Sequence, residues 1–151
     1  MYLQQDADAP AAATTTQSPA PASKPHVQET LPPLNFPAYT LQRPHEVIRA
    51  AYRFAAEHPE VLNYVPCFCG CEAGGHRGNH DCFVGARAVN GDVVAWTEHG
   101  FDCNLCIDIA SRSRQLFEQG KSVADIRVAI EREWGGRTMN KTPTPPVPRT
   151  D

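Results

Sequence analysis

Six cysteines fall between positions 67 and 106, and four of them crowd into YVPCFCGCEAGGHRGNHDCF, residues 64–83. Cys67, Cys69 and Cys71 alternate in PCFCGC, which is the tightest constraint in the chain. On extended backbone, residues two apart face one side, so the three sulfurs converge there. Gly70 tolerates a tight turn that would instead aim them around a centre. Cysteines two apart bridge one another only with strain, because disulfide geometry restricts how the side chains meet. Such a run looks outward, to a metal ion or to cysteines elsewhere.

The nearest such group is Cys103-Asn104-Leu105-Cys106. A spacing of three puts both sulfurs on one helical face, and a helix N-terminus stabilises thiolates. It is not a haem attachment site, because Ile107 stands where CxxCH has histidine. With Cys82, His76, His80 and His99, nine soft or borderline ligands lie within forty residues. Zinc(II) needs four, arranged tetrahedrally. Copper(I) accepts two or three thiolates, and clustered cysteines hold several copper ions.

Three readings stand at this point: a metal cluster, a framework of three disulfides, and thiol–disulfide exchange through the CxxC pair. The exchange reading asks for a βαβ pattern beside the CxxC, and none is visible. His99 reads more simply as a turn or surface histidine, Asp102 as a helix cap, and Trp96 and Trp134 as core aromatics.

The rest of the chain frames this cluster. Residues 1–37 hold seven prolines among Ala, Thr, Ser and Gln, a composition that buries too little apolar surface to offset its ordering entropy. We therefore expect a disordered tether over 1–37, a folded domain over 38–137 and a disordered tail over 138–151. Within the domain, RPHEVIRAAYRFAAEHP predicts a first helix, with Val47, Ala50, Ala51, Phe54 and Ala55 at helical spacing. DCNLCIDIASRSRQLFEQG predicts a second, stopped at Gly120, and SVADIRVAIEREWGG a third, capped by Ser122. Between the first two, Asn90-Gly91 predicts a two-residue hairpin turn inside 84–97. The expected fold is a small, mostly α, three-helix domain around a Cys-rich loop, with a short β-hairpin. Roughly 100 residues give a thin core, which usually needs a disulfide or metal staple.

Other function classes find little support. The net charge is −3 and the 14 basic residues are scattered, so no nucleic-acid partner is expected. No span approaches the ~20 apolar residues of a membrane helix. The opening YLQQDADAP has neither the basic start nor the apolar core of a signal peptide, and reads as a mature or trimmed form lacking its leader. There is no Gly-rich phosphate loop, HExxH or GxSxG, so we expect no enzyme.

Four stretches, YVPCFCGC, HRGNHDCFV, HGFDCNLCIDIA and GKSVADIRVAIEREWG, closely resemble the bacterial PCYCGC-motif proteins, small exported proteins that are often lipoproteins. The resemblance covers about 43–136, with Phe68 in the tyrosine position of the motif. It implies an extracytoplasmic, tethered domain, joined to a membrane only through an anchor this sequence lacks, that handles a metal through Cys67, Cys69, Cys71, Cys82, Cys103 and Cys106. Together with the spacings, it leads us to expect copper(I) ahead of zinc(II), with His76 or His80 completing the ligand set. The expected role is sequestration or delivery to a metalloenzyme or metal transporter. The alternatives remain a disulfide-stapled interaction module or a thiol–disulfide exchange protein.

Overall fold

The computed structural model describes residues 24–70, 74–136 and 141–149. Helix α1 spans His45–Glu57, entered from Pro44, whose φ of −59° already suits a helix. It buries Ile48, Ala51, Tyr52 and Ala55, an i, i+3, i+4, i+7 stripe. Val47 and Ala50, which periodicity placed on this face, lie at its edge and are only partly buried. The stripe is rotated toward the larger Ile48 and Tyr52 side chains, which fill the centre of the core.

Pro59 ends α1 and opens the single turn α2, Pro59–Leu62, because proline at a first helical position gives up only an N–H that has no partner there. A 3-10 turn over Asn79–Cys82 leads into strands β1, Val84–Arg87, and β2, Val93–Trp96, paired antiparallel. Another single turn, α3, His99–Asp102, precedes the long α4, Asn104–Glu118, and α5, Val123–Trp134, closes the series. The domain is thus mainly helical with one hairpin, and the described residues form five helical segments rather than three. The three long ones are those the sequence predicts. The two extra turns are four residues each, too short for periodicity to reveal.

The hairpin turn also differs from expectation. Gly91 N–H donates to Ala88 O (2.9 Å) and Ala88 N–H to Asp92 O (2.7 Å). This closes a three-residue loop, Val89–Asn90–Gly91, with Gly91 at φ 96°. A type I turn followed by a left-handed glycine is the common alternative to the two-residue turn.

Tyr52 is the hub of the core. Its ring lies 5.0 Å from Phe83, 5.4 Å from Trp96 and 5.1 Å from Phe101. Its hydroxyl donates to Thr97 O at 2.5 Å, which satisfies the one polar atom the ring buries. Arg87 does comparable work among polar groups. Its guanidinium donates to Ala55 O and Ala56 O, the loose carbonyls at the end of α1, and to Gly91 O in the hairpin loop.

Both proline-rich flanks meet the domain. Within the expected tether, Leu31, Leu34 and Phe36 pack on the core, and Gln28 exchanges two hydrogen bonds with the backbone of Val93. Trp96 Nε1–H donates to Pro32 O (2.9 Å), a carbonyl that proline retains although it lacks an N–H. Within the expected tail, Thr142 is 2% exposed, and Arg127 donates to Thr144 O and Pro145 O.

Gly100 sits where this packing is tightest. A Cβ there would fall 2.6 Å from Phe83 Cδ1 and 2.8 Å from the Tyr52 hydroxyl. Gly100→Ala should therefore destabilise the domain by about 1–3 kcal/mol, read as a lower midpoint in urea unfolding at unchanged slope.

Candidate metal centre

Three chain segments bring the sulfurs together. The first is the irregular stretch after α2, which carries Cys67 and Cys69 and bends at Gly70, φ 82°. The second is the 3-10 turn that ends in Cys82. The third is the start of α4, where Cys103 is the cap and its Sγ accepts from Cys106 N–H at 3.3 Å. The sequence assigns that cap to Asp102. Asp102 instead ends α3, and its carboxylate accepts from the Tyr39 hydroxyl. The sulfur takes the position because α3 turns the chain immediately before α4, leaving Cys103 extended at ψ 91°.

Cys67, Cys82 and Cys106 are fully buried, and Cys69 and Cys103 half-buried. Cys106 Sγ is the centre of the group, 3.2 Å from Cys67 Sγ, 3.3 Å from Cys82 Sγ and 3.4 Å from Cys69 Sγ. Cys67 and Cys69 Sγ are 3.5 Å apart. Among the described residues, then, the closest sulfurs stand well beyond the ~2.05 Å of a disulfide bond. A tetrahedral ion with ~2.3 Å bonds to sulfur sets its ligands about 3.8 Å apart. The observed separations need only a few tenths of an ångström of outward movement to accept one.

Two overlapping sets of four ligand atoms result, each lying within 4.8 Å of one another: Cys67, Cys69, Cys82 and Cys106, and Cys69, His99, Cys103 and Cys106. The second includes a residue the sequence reading set aside. His99 is exposed, yet its Nε2 lies 3.7 Å from Cys69 Sγ and 3.6 Å from Cys106 Sγ. The clue available in the sequence is its spacing: His99 stands four residues before Cys103, so the single turn α3 folds it back over the start of α4.

The other two histidines are placed differently. His76 Nδ1 is 3.8 Å from Cys82 Sγ, and its ring meets that of His99 edge-on at 5.6 Å. It borders the cluster without belonging to either set of four. His80 is turned away from the sulfurs. Arg87 donates to its Nε2, so the proton sits on Nδ1, which donates to Asp81 Oδ1 at 3.0 Å. Burial holds its pKa below the usual histidine value, against the opposing pull of Asp81. A neutral ring with both nitrogens engaged serves the scaffold. Cys71 lies outside the described residues.

The Cys106 hydrogen bond lowers the pKa of Cys103, but the Cys69 sulfur and burial together push it up to about 11.

Two polar residues that sequence reasoning missed hold the cluster in place. Asn79 is fully buried, and its Nδ2 donates to Cys106 O (3.0 Å) with Cys67 Sγ 4.0 Å away. It ties the Cys82 turn to the Cys106 helix. Thr142 grips the Cys67 backbone from both sides: Cys67 N–H donates to Thr142 Oγ1 (3.0 Å), and Thr142 N–H to Cys67 O (2.9 Å).

A family model described as a protein of unknown function with PCYCGC motif matches residues 8–148. The chain belongs to the PCYCGC-motif family. No curated protein and no solved structure matches it. In the PCYCGC stretch of this chain, Phe68 is 3% exposed and packed in the core. Phe68 thus anchors the segment between Cys67 and Cys69 in the core.

The Thr142 contact gives a direct check on this architecture. Thr142→Val keeps the shape but strands the buried Cys67 N–H, which should cost about 1–3 kcal/mol in denaturant unfolding. Thr142→Ser retains the oxygen and should stay near wild type.

Proposed function

We propose that this domain binds a soft transition metal ion through its clustered cysteines, Cu(I) ahead of Zn(II), and sequesters or delivers it outside the cytoplasm. The observation that carries this reading is the convergence of Cys67, Cys69, Cys82 and Cys106 from three segments into one ligand set. Thiolate-rich sites select soft ions. Sulfurs shared between two overlapping sets suit copper(I), whose thiolate clusters hold several ions.

Zinc(II) is the second reading, favoured by one specific feature. Four cysteine sulfurs around one point, three of them fully buried, form the closed all-sulfur arrangement of structural zinc sites. The disulfide module fares less well. Three bridges would require at least two among Cys67, Cys69, Cys82, Cys103 and Cys106, and no two of these five stand at bonding distance from each other in the described structure.

In this reading the domain carries an ion and catalyses nothing. Its partner is a metalloenzyme or metal transporter that receives the ion. The extracytoplasmic setting rests on the proline-, alanine- and threonine-rich run before residue 24 and on resemblance to exported proteins. No helix among the described residues is long and apolar enough to cross a membrane.

The test is elemental analysis of protein purified without reductant, paired with a thiol count after unfolding with and without a chelator. One or more equivalents of copper or zinc, with thiols reactive only after unfolding and chelation, is the expected result. No metal together with no titratable thiol would overturn the proposal in favour of disulfides.

A further inference from the structure

The geometry points to a second ion site beside the first: Cys69 and Cys106 bridge two ions, and Cys103 and His99 complete the outer one. This inference rests on the metal-binding reading and extends it from one ion to a binuclear centre. The first set of four is closed by Cys67 and Cys82, both fully buried. The second uses the same Cys69 and Cys106 and is closed by half-buried Cys103 and exposed His99.

The distances suit this division. A tetrahedral ion bonded to sulfur at ~2.3 Å and imidazole nitrogen at ~2.05 Å holds the two ligand atoms about 3.6 Å apart. His99 Nε2 stands 3.6 and 3.7 Å from the two shared sulfurs. The shared sulfurs are themselves 3.4 Å apart, so two ions each bonded to both at ~2.3 Å would lie about 3.1 Å from one another. Thiolate is the ligand able to bridge in this way, since sulfur has further lone pairs after binding one ion.

Burial then separates the two ions by role. The inner one is enclosed by protein, whereas the outer one meets solvent through His99. A receiving partner reaches the outer ion first, and replacing one exposed imidazole is enough to begin the exchange. His99 is therefore the exit ligand, and the inner ion is the retained one.

Native mass spectrometry after anaerobic loading with Cu(I), and separately with Zn(II), tests this on the full chain. Wild type should hold two equivalents of the ion it binds, and His99→Ala and Cys103→Ser one each. His99 is exposed, and serine is itself a favourable helix cap, so both variants should fold; far-UV circular dichroism checks it. A chelator challenge of loaded wild type should remove one equivalent before the other. One equivalent in wild type, or two retained in both variants, would overturn the binuclear centre and leave a single site standing. Loss of both ions together would overturn the exchange role of His99. No binding of either ion would overturn the metal reading itself.

Discussion

Crowding of sulfur around Cys106 is the constraint on which the rest of this structure depends. Its Sγ sits 3.2–3.4 Å from three other sulfurs, at the junction of α4, the Cys82 turn and the irregular segment that follows α2. Several sulfurs this close repel one another as thiolates, and as thiols they offer only weak hydrogen bonds. In the proposed reading a soft cation among them turns that repulsion into a cross-link between the three segments. On that reading it replaces the disulfide staple that a core of this size would otherwise need.

The surrounding structure is built to hold that junction still. Thr142 clamps the Cys67 backbone, Asn79 ties the Cys82 turn to the Cys106 carbonyl, and buried Phe68 holds the segment between Cys67 and Cys69. Beneath them, Tyr52 gathers Phe83, Trp96 and Phe101, fixing the residue after Cys82 and the α3 turn that carries His99. Arg87 joins the end of α1 to the hairpin loop and neutral His80. Ligands positioned by buried, hydrogen-bonded neighbours give up little freedom on binding, which is the role of outer-shell contacts in metal sites.

Much of this was legible in the sequence because it is local. The long helices follow from apolar periodicity, the caps from Ser122 and Gly120, and the meeting of Cys67 and Cys69 with Cys106 from the cysteine spacings. What was not legible depends on chain folding back over distance. Thr142 lies in a run of threonine and proline with no pattern of its own, yet pairs with Cys67, 75 residues earlier. His99 reaches the sulfurs because α3 is a helical turn; its spacing four residues before Cys103 is the one local clue, and four residues carry no periodic signal. His80 has the composition of a ligand, but Arg87 and Asp81 claim its ring. A histidine's neighbours in space decide between ligand and strut, and spacing alone does not reveal them.

X-ray absorption at the metal edge, on protein loaded with a single ion type, tests the central claim most directly. The account predicts a first shell dominated by sulfur at about 2.3 Å. A first shell of nitrogen and oxygen alone would contradict it, because the bound metal would then lie somewhere other than the cysteine junction.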